Sequence, residues 1–179
     1  RGRRTPYTDM EQTTMAAQEG LQFKDLVRED LIINGASYPN RDAALTSMAG
    51  LLVEKGYCEP PYVEAILERE RAHPSALPMP GHKIAIPHTD ATYVKSSALL
   101  FARLDEPVEF RSMGDPNEML QVPMISMFAL REKKLIGDLL ETLITVYQDE
   151  TVLNAIYEAA DSGEIFRILK ENVEEKARR

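Results

Sequence analysis

Ten residues, Gly81-His82-Lys83-Ile84-Ala85-Ile86-Pro87-His88-Thr89-Asp90, have the types and order that suit chemistry. Lys83 to Ile86 reads as a short strand and runs into a proline, which locks φ and removes a ladder donor. His88 is therefore expected at a strand terminus, on a stiff backbone, with its ring free to face a cleft. A neutral imidazole near pH 7 has a basic nitrogen that can attack phosphorus, and histidine is among the side chains that form covalent intermediates. The other ring nitrogen must then be held by an acceptor. Taken alone, the pattern reads more simply as a loop histidine without a role. Zinc on His82, His88 and Asp90 is the remaining arrangement, but Pro87 keeps the two histidines off one helix and no familiar zinc spacing is present, so no metal is expected. Neither G-x-S-x-G, a Walker loop nor G-x-G-x-x-G occurs, which leaves hydrolase and nucleotide chemistry without a motif.

The elements that must position these residues alternate between helix and strand. Phe23, Leu26, Val27 and Leu31 suggest a helical turn, and Leu31-Ile32-Ile33 an extended piece ending at Asn34-Gly35. Pro39-Asn40 opens a helix whose apolar positions Ala44, Leu45, Met48, Leu51 and Leu52 follow the i, i+3/i+4 rule, and Gly56 stops it. Pro60-Pro61 opens a second helix that ends at His73-Pro74. Ser75 to Gly81 reads as a proline-rich loop. Ala98 to Ala102 has strand character, Val108-Glu109-Phe110 alternates, and Met113-Gly114-Asp115-Pro116 is a turn. Val122 to Leu130 reads as a strand buried on both faces. Helices are predicted over Leu135–Tyr147, over Glu150–Ala160 with Asp149 as N-cap, and over Glu164–Val173 with Ser162 as cap. The fold class that follows is α/β, a single domain with a mixed β-sheet flanked by helices. Residues 1–20 are expected to be a flexible or partly helical leader, 21–173 the domain, and 174–179 a charged tail.

The chain has 179 residues with 21 Lys+Arg and 29 Asp+Glu, a net charge of −8. That balance argues against nucleic acid as a partner. No apolar run approaches the ~20 residues of a membrane helix. The single cysteine, Cys58, excludes an internal disulfide and is read as a packing residue in a reducing, cytoplasmic setting. His73 is expected to meet the carbonyls at its helix end. Met113, Met119, Met124 and Met127 are read as core filler. The absence of an initiator methionine suggests a chain trimmed or cut from a longer protein.

Ile84-Ala85-Ile86-Pro87-His88-Thr89-Asp90 closely resembles the active-site signature of enzyme IIA domains of the sugar phosphotransferase system, fructose/mannitol type, galactitol-like branch. The likeness extends from about Phe23 to Val173. It includes Leu51-Leu52-Val53-Glu54-Lys55-Gly56-Tyr57, Tyr62-Val63-Glu64-Ala65-Ile66-Leu67 with Arg69-Glu70, and Pro107-Val108-Glu109-Phe110 with Met113-Gly114-Asp115. The resemblance implies that His88 accepts a phosphoryl group from the carrier protein HPr and passes it to a cysteine of an enzyme IIB during sugar or sugar-alcohol import, with no cofactor. It implies a phosphate-stabilising role for Arg69. Mannitol-type members carry a further histidine at a position that falls here on Ile136, so a replacement donor is needed. Thr89, backbone N–H groups near Gly81 or His82, and Lys133 or Lys134 are the candidates, and the His82 ring is a weaker one. The resemblance implies contact with a membrane permease only through other components. The alternative function is a regulatory domain of the same type, attached to a transcriptional regulator or a nitrogen-related phosphorelay.

Overall fold

The computed structural model describes residues 21–178, so the expected leader lies outside the described residues. Five strands form one mixed sheet: β1 (Ile32–Ala36), β2 (Ala76–Leu77), β3 (Ile84–Ala85), β4 (Ala98–Arg111) and β5 (Met119–Ala129). Their spatial order is β1-β4-β5-β3-β2. β4 and β5 pair antiparallel at the centre, β1 joins β4 and β3 joins β5 in parallel, and β2 closes the edge antiparallel to β3. The helices are α1 (Arg41–Glu54), α2 (Tyr62–Ala72), α3 (Ile136–Gln148), α4 (Glu150–Glu158) and α5 (Ser162–Ala177). Short 3-10 turns at Phe23–Leu26 and Glu29–Leu31 occupy the predicted N-terminal helical turn.

Strand alternation divides the core between two faces. Leu100, Ala102, Ile125, Met127 and Ala129 pack with Leu45, Met48 and Leu52 of α1 and with Tyr62 and Ile66 of α2. Leu99, Phe101, Met124 and Phe128 pack with Leu139 and Leu143 of α3, Leu153 and Ile156 of α4, and Leu169 of α5. The sheet is thus the middle of three layers, and β5 is apolar along most of its length because both of its faces are covered. Ser126, on the second face, is fully buried and satisfied by the Tyr147 hydroxyl at 2.6 Å.

Local chemistry sets the helix ends. The Asn40 side chain accepts the Ala43 N–H at 2.8 Å and starts α1. At its other end Gly56 sits at φ +84°, its N–H bonds to Val53 O, and the Tyr57 N–H bonds to Leu52 O. That double bond is a Schellman stop, which a side chain at Gly56 would strain. Asp149 caps α4 through the N–H groups of Thr151 and Val152.

Five expectations change. Met113 and Met119, expected as core filler, are exposed at 36% and 41%, whereas Met124 and Met127 are in the core. The two extended pieces at Ala98–Ala102 and Val108–Phe110 are one strand, β4, with a register irregularity between Arg103 and Val108 that absorbs Pro107. A proline has no ladder donor, and the irregularity lets the strand continue past it. The loop after Pro74 contains β2, too short for any period to reveal. α4 ends at Glu158, where Arg103 Nη1 donates to the carbonyls of Ile156, Tyr157 and Ala159. α5 is capped one residue earlier than expected, by Asp161, and runs through the charged stretch to Ala177.

Candidate active site

His88 lies just beyond the C-terminal end of β3, where the chain leaves the sheet. Ile86 N–H still donates to Ser75 O at 3.1 Å, and Phe128 N–H of β5 donates to Pro87 O at 3.2 Å. These two bonds hold the backbone on both sides of Pro87. The ring of His88 stacks on Phe128 with centroids 4.6 Å apart and planes 9° from parallel. Its Nδ1 lies 2.8 Å from Ile86 O. A carbonyl oxygen only accepts, so Nδ1 carries the proton and Nε2 keeps a free lone pair.

Burial holds His88 below the usual imidazole range. The Ile86 carbonyl opposes that effect by favouring the charged ring, and the Arg69 guanidinium adds to it by repulsion. The ring is therefore neutral near pH 7, as a nitrogen nucleophile must be.

A pocket of about 310 Å3 opens at this ring, lined by Arg69, Ala72, His73, Pro74, Ser75, His88, Met113, Pro116 and Leu140. Its wall contains no carboxylate, so an incoming anion meets cationic and neutral donors only. The β4–β5 connection reaches the pocket because Met113 N–H donates to Ala76 O at 2.7 Å. Glu70, beside Arg69 in sequence, is buried, and it accepts the Ser75 N–H at 3.0 Å. Burial pushes its carboxyl upward, while hydrogen bonds from the Ser75 hydroxyl and N–H, and then the cations of Arg41 and Arg69, draw it back.

The sequence candidates therefore separate. His88 and Arg69 share the pocket. Thr89, half-buried, is not in its wall. His82 faces α4: its Nε2 pairs with Asn154 Oδ1 at 3.0 Å and its ring stacks on Tyr157 at 3.8 Å. The His82 N–H is taken by Pro80 O. Ile136 is half-buried against the core on the α3 face, and Leu140 is the α3 residue in the pocket wall. Lys133 lies close enough to Asp90 to hold that carboxylate low, after the larger effect of the Thr92 hydrogen bonds. Cys58 is buried, and burial pushes its thiol up to about 12, which leaves it inert as a nucleophile. Among the described residues no cluster of three His, Cys, Asp or Glu side chains gathers to hold a metal.

Sequence reasoning missed His73 and Ser75 as pocket residues. One signal was available for His73. It follows Arg69 by four residues, and the His73 N–H donates to Arg69 O at 2.7 Å, so a helix face that brings one to the site brings the other. Nothing local marked Ser75, because the β2–β3 pairing that seats it is tertiary.

Comparison with known proteins places the chain in a family. Residues 25–172 match the family profile described as phosphoenolpyruvate-dependent sugar phosphotransferase system, EIIA 2. The chain is similar to the galactitol-specific EIIA component of Escherichia coli (strain K12), 30% identical over 125 residues, covering 63% of this chain and 83% of that protein. It is also similar to a nitrogen regulatory protein of Bradyrhizobium diazoefficiens, 31% identical over 102 residues, covering 56% of this chain and 65% of that one. Among solved structures, enzyme IIA mannitol of Escherichia coli, in complex with phosphorylated enzyme IIB mannitol, shares the fold. Its TM-score is 0.66 at 23% identity, over 85% of this chain and 98% of that one.

Proposed function

Since the chain belongs to the EIIA 2 family of the phosphoenolpyruvate-dependent sugar phosphotransferase system, we propose that His88 is the residue on which it carries the phosphoryl group. The protein is a phosphoryl carrier for sugar or sugar-alcohol uptake. HPr is the donor in this reading and a cysteine of an enzyme IIB the acceptor. The Escherichia coli mannitol relative is solved with phosphorylated enzyme IIB, which supports the second partner. This relay operates in the cytoplasm and meets the permease only through other components. Among the described residues no helix is long and apolar enough to cross a membrane.

The observation that carries the assignment is the bond from His88 Nδ1–H to Ile86 O, made by a ring that opens on the Arg69 pocket. Nε2 attacks phosphorus in line with the donor's P–N bond. The Nε2–P bond forms as that bond breaks, and the donor imidazole departs with its electron pair. The His88 ring gains positive charge, and the Ile86 carbonyl stabilises it through Nδ1–H. Arg69 offsets charge on the phosphoryl oxygens. One imidazole replaces another, so proton transfer is not required, and the rate comes from positioning and electrostatics. The flat contact with Phe128 fixes the ring plane for that approach.

The test is incubation with phosphoenolpyruvate, enzyme I and HPr, followed by mapping of acid-labile phosphate. Label is expected on His88, and a His88→Ala variant is expected to take none. Arg69→Gln is expected to accept phosphate about 10–100 times more slowly, the worth of a hydrogen bond to a charged group. Label elsewhere than His88 would refute the assignment. The likeness to a nitrogen regulatory protein favours a regulatory module as the second reading. A carrier passes its phosphoryl on to an enzyme IIB, whereas a regulator accepts it and stalls.

A further inference from the structure

We propose that Tyr62, at the start of α2, is a positioning residue for phosphoryl transfer: its hydroxyl takes the carbonyl at which the β3–β5 ladder would otherwise continue, and so releases His88 to face the pocket. The inference rests on the reading that His88 carries the phosphoryl group. Tyr62 is not in the pocket wall. It acts through Phe128, the residue whose ring lies flat on His88.

The register of the sheet shows which bond the hydroxyl replaces. β3 and β5 run parallel, with Ile84 opposite Met124 and Ala85 opposite Ile125. Carried on along both segments, that register sets His88 opposite Phe128, which is why their rings meet on one face. In a parallel ladder a residue bonds to the two neighbours of its partner, by its N–H to the earlier one and by its carbonyl to the later one. Phe128 makes the first of these bonds, from its N–H to Pro87 O at 3.2 Å. The second would run from Thr89 N–H to Phe128 O. Instead, Phe128 O accepts the Tyr62 hydroxyl at 3.2 Å in the protein interior. Among the described residues the Thr89 N–H meets no backbone acceptor.

The exchange of donors bears on the nucleophile. In a regular strand the carbonyls lie in the plane of the sheet and the side chains stand perpendicular to it, so a side chain does not reach the carbonyl two residues earlier. His88 does reach it, with Nδ1 2.8 Å from Ile86 O. The bond that fixes its tautomer therefore needs a chain that has left the ladder at His88, and an unclaimed Phe128 O would draw Thr89 back into it. Tyr62 is suited to hold that carbonyl. It is fully buried, so water does not compete for its hydroxyl. Burial also pushes the phenol well above its ordinary value, so the donor keeps its proton. Arg69 lies about two turns further along the same helix, in the pocket wall. α2 thus ties the cation and the nucleophile to one rigid element.

The test uses the full chain. Tyr62→Phe deletes only the hydroxyl, and Tyr147→Phe, which breaks the buried bond to Ser126 on the other face of the sheet, is the control for lost stability. The readouts are the ring nitrogen NMR shifts of His88, hydrogen exchange at the Thr89 amide, Tm, and the kinetics of labelling with phosphoenolpyruvate, enzyme I and HPr. In the parent, the Thr89 amide is expected to exchange far faster than that of Phe128. Equal protection of the two would overturn the proposal, and this measurement requires no variant to fold. Tyr62→Phe is expected to slow exchange at Thr89 and to populate both tautomers of His88. It is expected to lower the maximal labelling rate about ten-fold at an unchanged half-saturating concentration of phospho-HPr. Tyr147→Phe, with a similar loss of Tm, is expected to keep the parental tautomer and rate. A folded Tyr62→Phe protein with the parental tautomer and rate would overturn the proposal. So would the same changes in both variants, since lost stability alone would then account for them. Label on a residue other than His88 in the parent removes the carrier reading, and the role of Tyr62 in transfer with it, whereas the exchange and tautomer results are read without any phosphate.

Discussion

The dryness of the His88 ring is the property most directly open to measurement. Phe128 is fully buried and covers one face of that ring at 4.6 Å. Replacing it with alanine removes a core aromatic, at about 3–5 kcal/mol. For a protein of this size that lowers Tm by about 6–20 °C. Phe128→Leu refills most of the volume and loses mainly the ring contact, about 1–2 kcal/mol, so it is the variant on which the site can be read. Burial is the larger cause of the lowered His88 pKa, ahead of the repulsion from Arg69. Admitting water beside the ring is therefore expected to move His88 upward, toward the ordinary imidazole value of about 6.5. The sign carries into two assays. In the parent, the unfolded chain takes a proton at this histidine at a higher pH than the folded one. Stability is thus complete above the unfolded value and declines as pH falls from there through the folded pKa. Phe128→Leu narrows that window. It also moves the acid limb of phosphoryl acceptance to higher pH, because a protonated ring has no lone pair at Nε2. An NMR titration of the His88 Cε1 proton measures the shift. A folded Phe128→Leu protein whose His88 titrates as in the parent would refute the argument that this ring keeps the nucleophile neutral.

Glu70 is expected to act in the opposite pH sense. Burial raises its folded pKa, so its contribution is favourable below the unfolded carboxyl value and is lost as pH rises through the folded one. Glu70→Gln keeps an oxygen for the Ser75 N–H, and melts are expected to show it more stable than the parent at pH 7 and level with it at pH 4. A less stable Gln variant at pH 7 would mean that Arg41 and Arg69 outweigh burial. In the second core face, Tyr147→Phe strands the buried Ser126 hydroxyl, at about 1–3 kcal/mol or 2–12 °C in Tm. Adding Ser126→Ala is expected to recover most of that loss, and a double variant as unstable as the single one would contradict the pairing.

What could be read from the sequence alone was local. Asn40 and Asp149 are short polar side chains just before apolar helical periods, and each caps the helix it precedes. Gly56 supplies the left-handed residue its Schellman stop needs. Ile86-Pro87 ends a strand because proline cannot extend a ladder, which by itself put His88 at the sheet's margin. Each of these effects acts within a few residues, so spacing and residue type carry it. The tertiary structure decided the rest. Parallel pairing of β3 with β5 brings Phe128 beside Pro87 and His88, and no period in either segment encodes that meeting. The Ile86 carbonyl, by accepting from Nδ1, selects which nitrogen of His88 is free. β2 exists only because β3 offers it an edge, and through it Ser75 reaches the pocket wall. A pocket is formed by segments far apart in the chain, and which side chains face it depends on pairing register and burial, quantities fixed only when the whole sheet assembles.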